Sequence, residues 1–215
     1  MYRIGQEEID AVAKVIRTKD FFKINNSLHE AENAEEDMKK LFNVKHAIMM
    51  TSGHGALTSA LIAMGVGPGD EVIVLEPFYT NYNTFAFMNG LTLKAISTDI
   101  RNGFQIPPIE EFEKAITDKT KAILICNPGN PTGTQYSKES MLALGEIARK
   151  HDLFLLSDEV YREFCYTDEP HFSAMNIPGL EQNVVLIDSV SKRYNLCGAR
   201  VGCIVSHNKD IMAAA

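Results

Sequence analysis

The stretch LIDSVSKRYNLCGARVG, residues 186–202, starts as an apolar run and then presents a series of polar groups. The hydroxyls of Ser189 and Ser191 come first, the amine of Lys192 follows at once, and the guanidinium of Arg200 lies eight residues further on. A short apolar run of this kind is typical of a buried strand. Open α/β sheets bind their ligands outside the carboxyl ends of the strands. The stretch therefore predicts a central strand that delivers these groups to a ligand site.

Six other short apolar runs recur along the chain, and amphipathic segments lie between most of them. The runs are nearly continuous rather than alternating, which is typical of strands covered on both faces. Strands that alternate with helices indicate a mostly parallel sheet with right-handed crossovers. We therefore predict an α/β fold, a three-layer α/β/α sandwich around a mostly parallel seven-stranded sheet. The predicted strands are 46–52, 71–77, 91–97, 121–128, 153–160, 183–190 and 202–206, and the predicted helices are 7–18, 32–42, 55–65, 107–117 and 138–151.

The composition argues against several classes of protein. The 215 residues are 45% apolar and 23% charged, close to the average for soluble domains. A net charge of −7 argues against a nucleic-acid-binding surface, which needs a basic face. No apolar run is long enough to span a bilayer, and the N-terminal sequence has no apolar signal-peptide core. We therefore expect a cytoplasmic protein that binds neither nucleic acid nor membrane.

The cysteines are scattered, and no two have the CxxC spacing typical of a zinc site. Their apolar surroundings predict reduced, mostly buried thiols without a disulfide framework or a bound metal. The four residues are Cys126, Cys165, Cys197 and Cys203.

The segment TSGHGA, residues 51–56, opens a predicted helix directly after a predicted strand. Glycines let a ligand approach the backbone, and the first amides of a helix favour an anion. Ser52, Gly53 and His54 therefore form a candidate phosphate site, with His54 contributing through its backbone amide. The alternative of an ordinary tight turn has about equal weight on these residues alone. The segment matches neither the Walker loop nor the GxGxxG fingerprint.

Lys192 and Asp158 each follow an apolar run. A partly desolvated amine has a lowered pKa and attacks carbonyl groups, so an amine beside a phosphate site suggests a phosphate-bearing aldehyde. A buried carboxylate needs a cationic partner, and a pyridinium nitrogen would provide one. The alternatives are a solvated surface lysine and an aspartate that caps a helix over 159–164.

Other strand ends supply further candidates. Tyr79 follows the second predicted strand and could stack on a flat ring, or it could pack in the core. Asn130 follows the fourth strand, and Tyr161 follows the fifth. Five strand ends thus carry polar or aromatic groups of different kinds, and we expect them to converge on one site.

Three motifs resemble those of a known family. NPGNPTG at 127–133, LLSDEVYREF at 155–164 and SVSKRYNLCGARVG at 189–202 are similar to motifs of the class I/II aminotransferases, which are fold-type I pyridoxal-phosphate enzymes. The resemblance is to the large domain of aspartate aminotransferase-like members. It covers nearly the whole chain and is most specific from Lys121 onward. The N-terminal third resembles the sugar-aminotransferase branch more closely.

The resemblance implies a role for each candidate. Lys192 would bind the aldehyde of pyridoxal 5′-phosphate as a Schiff base, and Asp158 would pair with the ring nitrogen. Tyr161 and Asn130 would hydrogen-bond the phenolic oxygen, and Tyr79 would stack on the ring. Lys192, Asp158 and Tyr161 are thus the expected catalytic residues. The phosphate would be bound by Ser52, Gly53, His54, Ser189 and Arg200.

The family's activity is amino transfer between an L-amino acid and a 2-oxo acid, by a ping-pong Schiff-base mechanism in a homodimer. The resemblance leaves two alternatives open: a carbon–sulfur lyase that uses the same cofactor, and a non-catalytic cofactor-binding fragment. No residue can be assigned as the arginine that binds the substrate carboxylate. The sequence stops inside a helical pattern, so we expect 1–215 to be the large domain of a longer protein, without its C-terminal small domain.

Overall fold

The computed structural model describes residues 4–24 and 26–215, which contain a single seven-stranded sheet. Every predicted strand is present, because the apolar runs at the centre of the sheet are buried between two layers of helices, while those at its two edges are partly buried. The strands are β1 (His46–Met50), β2 (Glu71–Glu76), β3 (Thr92–Ser97), β4 (Thr120–Cys126), β5 (Phe154–Asp158), β6 (Val184–Ser189) and β7 (Gly202–Ser206).

The strand order is β1-β7-β6-β5-β4-β2-β3. The pairs β6–β5, β5–β4, β4–β2 and β2–β3 are parallel, and β7 is antiparallel to both of its neighbours, β1 and β6. All strands except β7 therefore point the same way. Their carboxyl ends meet at one edge, where β7 begins, so the polar groups that follow them are brought together.

Helices lie on both faces of the sheet, as the three-layer prediction requires. One apolar core contains α5 and α6 side chains such as Phe112 and Leu144, and the other contains α3 and α4 side chains such as Leu57 and Phe85. The α-helices are α1 (Gln6–Thr18), α2 (Glu30–Phe42), α3 (Gly53–Ala63), α4 (Asn81–Asn89), α5 (Ile109–Ala115), α6 (Lys138–Lys150), α7 (Val190–Arg193) and α8 (Lys209–Ala214), and short 3₁₀ turns occupy Ile100–Asn102, Ala174–Asn176 and Cys197–Ala199.

Helix α4 was not predicted from the sequence. Its residues, NYNTFAFMN, are mostly weak helix formers, and no side chain caps its N-terminus. Tyr82, Phe85 and Ala86 are buried against the sheet. Tertiary packing therefore stabilises a segment whose intrinsic propensity is low.

The prediction of mostly buried thiols is correct for Cys203 only. Cys126 and Cys165 are partly buried, and Cys197 is exposed because it lies in a 3₁₀ turn beyond α7. All four are free of disulfide bonds. Within residues 4–24 and 26–215, no helix is long and apolar enough to cross a membrane.

Candidate active site

A cavity of about 250 Å³ opens at the carboxyl edge of the sheet. Its walls come from the segments that follow β1, β2, β4, β5 and β6, so the five predicted strand ends do converge. Ser52 lies just behind the wall, at the N-terminus of α3, and is buried. The other nine predicted residues line the cavity directly: Gly53, His54, Tyr79, Asn130, Asp158, Tyr161, Ser189, Lys192 and Arg200.

The first turn of α3 and the end of β6 form the candidate anion site. Ser52 caps the helix, because its Oγ accepts a hydrogen bond from the Gly55 amide at 3.0 Å. Ser189 Oγ lies 2.9 Å from Ser191 Oγ. Gly53 is so close to β6 that an added Cβ would stand 3.3 Å from the Ser189 Cβ. The hydroxyls of Ser189 and Ser191 and the positive end of the α3 dipole thus lie in one small region.

Gly202 packs tightly against the N-terminus of α3, and we expect Gly202→Ala to destabilise the fold. A Cβ there would lie 2.5 Å from the Gly53 nitrogen and 2.5 Å from the Ser52 carbonyl carbon. Both are backbone atoms, so the helix N-terminus must move, and we expect a loss of about 1–3 kcal/mol in the free energy of unfolding. Urea unfolding measures the loss, and inorganic phosphate should stabilise the variant less than the wild type.

Gly198→Ala is the matched control for this substitution. It lies four residues earlier in the same segment, and an added Cβ would meet no atom within 4 Å. It should leave the free energy of unfolding nearly unchanged. Equal stability of Gly202→Ala and Gly198→Ala would contradict the packing described for the α3 N-terminus.

Lys192 lies in α7, the short helix that continues β6. Ser189 caps this helix with its side chain on the Ser191 amide, which fixes the turn that carries the lysine. Lys192 Nζ stands 5.9 Å from the centroid of the Tyr161 ring. Partial burial raises the pKa of Tyr161, and the nearby amine of Lys192 opposes that rise. The amine and the phenol therefore share one wall of the cavity.

Asp158 ends β5 and does not cap a helix, because no helix directly follows and residues 160–163 form a turn. The helix-cap alternative is therefore wrong. Tyr82 OH donates a hydrogen bond to Asp158 Oδ2 at 3.0 Å, and the Val160 amide approaches Oδ1 at 3.4 Å. Burial nevertheless raises the pKa of Asp158 to about 6.

Asp158 has no cationic partner among the side chains in the described ranges, where every ion pair involves other carboxylates. Its partly buried neighbour Cys126 has a pKa well above the usual thiol value, because desolvation and the Asp158 charge both disfavour the thiolate. A buried carboxylate in these surroundings lacks a compensating charge. A ligand that brings a cationic N–H to this point would supply one.

Tyr79 stands over the cavity in a small aromatic group. Its hydroxyl lies 3.1 Å from His54 Nε2 and accepts a hydrogen bond from Asn81 Nδ2 at 2.7 Å. Its ring also meets Tyr82 edge-on, with centroids 5.6 Å apart. The His54 side chain therefore orients Tyr79, in addition to any contact that the His54 amide makes. Both the stacking and the core-packing interpretations of Tyr79 remain compatible with this position.

Arg200 is exposed at the rim in a left-handed conformation, with φ of 55°. One of its nitrogens donates to the carbonyl of Cys197 at 3.0 Å, which holds the guanidinium beside the turn after α7. Asn130 lines the cavity from the loop after β4.

Sequence reasoning missed several residues of the site. Tyr82 lay in the helix that was not predicted, although its spacing from Phe85 and Ala86 is helical. For Cys126 the sequence predicted only a reduced thiol in apolar surroundings, with no part in the site. Cys197 lines the cavity although nothing in its local sequence distinguishes it.

The sequence of this chain is similar to those of known proteins. The family model described as aminotransferase class I and II matches residues 3–215. The chain is 35% identical over 185 residues to an aspartate aminotransferase of Thermotoga maritima, covering 86% of this chain and 48% of that protein. It is 34% identical over 212 residues to an asparagine–oxo-acid transaminase of Streptococcus mutans, covering 95% of this chain and 53% of that protein.

Solved structures agree with these sequence matches. A single mutant of Thermus thermophilus aspartate aminotransferase superimposes with a TM-score of 0.86 at 27% identity, covering 99% of this chain and 56% of that one. The predicted large-domain fold is thus confirmed. The chain spans about half the length of the curated relatives that it matches.

Proposed function

The chain belongs to the family of class I and II aminotransferases, and we propose that it binds pyridoxal 5′-phosphate and transfers an amino group between an L-amino acid and a 2-oxo acid. The observation that carries the proposal is one cavity that holds Lys192, Asp158 and the α3 N-terminus together. The amine would bind the aldehyde of the cofactor, the carboxylate would pair with its ring nitrogen, and the helix N-terminus would bind its phosphate.

The residues present fit this cofactor. Asp158 is a partly buried carboxylate without a cationic partner in the described ranges, and a protonated ring nitrogen would balance its charge. The Ser189 and Ser191 hydroxyls, 2.9 Å apart, and the first turn of α3 suit a phosphate. Tyr79 offers a flat face to a ring, because Asn81 and His54 fix its hydroxyl.

The proposed mechanism assigns one task to each side chain. Pyridoxal phosphate would supply an aldehyde that exchanges between amines and a ring that accepts electrons from the substrate. Lys192 would hold the aldehyde at rest and then move a proton to and from the substrate Cα as base and acid. Asp158 would keep a proton on the ring nitrogen, and Tyr161 would orient the phenolic oxygen.

Tyr82 would support Asp158 in that task. A hydrogen bond from a hydroxyl to a carboxylate favours the ionised form. The Tyr82 bond at 3.0 Å therefore opposes the effect of burial and keeps Asp158 able to pair with a cation. Arg200 and Ser189 would bind the phosphate together with the first turn of α3.

A cytoplasmic location and a homodimeric assembly are further parts of this proposal. The four free cysteines support a reducing compartment. Helix α1 supports an interface, because Ile9, Val12 and Ile16 on one side of it are 55–60% exposed. Light scattering of the purified protein would give the number of copies.

Absorption spectroscopy tests the proposed function. We expect the protein with pyridoxal phosphate to show a Lys192-dependent visible band that shifts to the amine form of the cofactor when aspartate or glutamate is added. Release of the matching 2-oxo acid would separate amino transfer from a carbon–sulfur lyase, which would give other products. If the band does not change with any amino acid, the proposal of amino transfer by this chain is wrong. If no band forms, the proposed cofactor site is wrong.

A further inference from the structure

Four charged residues form a cluster behind the cavity wall: Asp188, Arg193, Arg162 and Glu163. We name it the Arg193 cluster. None of the four lines the cavity. Three of them nevertheless adjoin a cavity residue in the chain, because Asp188 precedes Ser189, Arg193 follows Lys192, and Arg162 follows Tyr161. These three residues are therefore one peptide unit away from the cavity lining.

The centre of the cluster is a buried ion pair. Arg193 donates from a terminal nitrogen to Asp188 Oδ2 at 2.7 Å, and their side chains are only 10% and 4% exposed. Asp188 Oδ1 also accepts a hydrogen bond from the Ser189 amide at 2.7 Å. The pair thus spans the bend between β6 and α7, which is the bend that presents Ser189 and Lys192.

The second half of the cluster reaches the turn after β5. Glu163 Oε1 lies 3.7 Å from Arg193 Nε and 3.9 Å from Arg162 Nε. The Arg162 guanidinium also stands 4.5 Å from the centroid of the Phe42 ring, at the end of α2. The Arg193–Glu163 contact therefore links residues 188–193, which carry Lys192, with residues 161–163, which carry Tyr161.

Stability alone does not account for this arrangement. Taking two charges out of water costs much of what their attraction returns, so a well-packed apolar pair is often as stable. Burial raises the pKa of Asp188 to about 6 even with Arg193 beside it. What an ion pair provides in addition is a fixed direction and distance, because the guanidinium and the carboxylate bond only in particular geometries.

We propose that Arg193 is a positioning residue, which holds Lys192 and Tyr161 at a fixed separation through its contacts with Asp188 and Glu163. The inference rests on the proposed function, since it concerns the amine and the phenol that would hold the cofactor. In the present geometry, Lys192 Nζ lies 5.9 Å from the Tyr161 ring centroid. Loosening the cluster would let the two segments separate.

Three variants test the positioning role: Arg193→Met, Arg193→Lys and the double variant Asp188→Asn/Arg193→Met. The main readout is the visible absorption band that the protein forms with pyridoxal phosphate. Its midpoint is the pH at which this band has changed halfway from its low-pH form to its high-pH form. The second readout is urea unfolding of the cofactor-free protein. Arg193→Met should raise the midpoint by about half a unit or more, because a displaced Tyr161 donates less well to the anionic phenolic oxygen of the cofactor. Arg193→Lys keeps the charge and should restore part of the shift.

The double variant separates positioning from stability. It removes both charges of the buried pair, so the free energy of unfolding should recover relative to Arg193→Met. The raised midpoint should persist, because the connection between the two segments is still missing. If Arg193→Met does not fold, the double variant carries the test.

The control is Arg101→Met, which removes an exposed ion pair with Asp99, and neither of these residues lines the cavity. It should leave the midpoint unchanged. A midpoint that returns to the wild-type value in the double variant, or that does not move in Arg193→Met, would show a structural role only and overturn the inference. A wild-type protein without any such band would instead reject the proposed function, and this inference with it.

Discussion

Lys192→Ala is expected to abolish covalent attachment of pyridoxal phosphate while leaving the anion site in place. The α3 N-terminus, Ser189 and Arg200 do not depend on the lysine side chain, so non-covalent binding through the phosphate should persist in weakened form. In any assay of amino transfer, the rate should fall by on the order of 10³-fold or more, because the variant loses both its nucleophile and its acid–base group.

Borohydride trapping and mass spectrometry measure this directly. The wild type should retain one reduced adduct on the peptide that contains Lys192, and the variant should retain none there. Lys121→Ala is the matched control, since Lys121 is exposed near the amino end of β4, at the other edge of the sheet. A reducible adduct of normal yield in Lys192→Ala would contradict the assignment.

The strands could be predicted from the sequence, because each is a short apolar run, and those at the centre of the sheet are buried on both faces. β6 shows why: all six of its residues are buried, and the first four are apolar, so the polar residues Asp188 and Ser189 come only at the end of the strand. The same pattern located the site, since in a sheet whose neighbouring strands are parallel the polar residues after each run gather at one edge. Helix α4 could not be predicted, because its weak intrinsic propensity is offset by the burial of Tyr82 and Phe85.

The residues that line the cavity were easier to predict than the residues that support them. Lys192 and Asp158 stand out because a charge at the end of an apolar run is unusual. Arg193 is equally charged, but nothing in the sequence reveals that it turns away from the cavity to meet Asp188 at 2.7 Å. Its role depends on a contact across a bend, and such contacts are set by the fold rather than by local pattern.

Asp158→Asn is expected to stabilise the cofactor-free protein at neutral pH and to disable amino transfer. The folded-state pKa of Asp158 is raised to about 6, above the value of about 3.9 for an unfolded aspartate. The folded state therefore holds the proton more tightly than the unfolded state does. The stability that this provides is fully present below the unfolded pKa and is lost as the pH rises through the folded pKa.

The size of the effect follows from that difference. About two pKa units correspond to roughly 2–3 kcal/mol, and since Asp158 is only partly shielded from solvent we expect a gain of about 2 kcal/mol at pH values above about 6.5. The gain should shrink towards zero near pH 4, where the wild-type carboxyl is protonated in the folded state. Asp188 titrates in a similar range but is common to both proteins, so comparing them at each pH cancels most of its contribution.

Urea unfolding across this pH range measures the difference, and Tyr82→Phe provides the complementary variant. Tyr82 donates the hydrogen bond that favours the ionised carboxylate, so removing its hydroxyl should raise the Asp158 pKa further and destabilise the protein at neutral pH. If Asp158→Asn has a larger free energy of unfolding at neutral pH and no amino transfer, the Asp158 carboxylate destabilises the cofactor-free protein but is needed to bind the cofactor. Asp158→Asn that is less stable than the wild type above pH 6.5 would show instead that the carboxylate is already compensated within the fold.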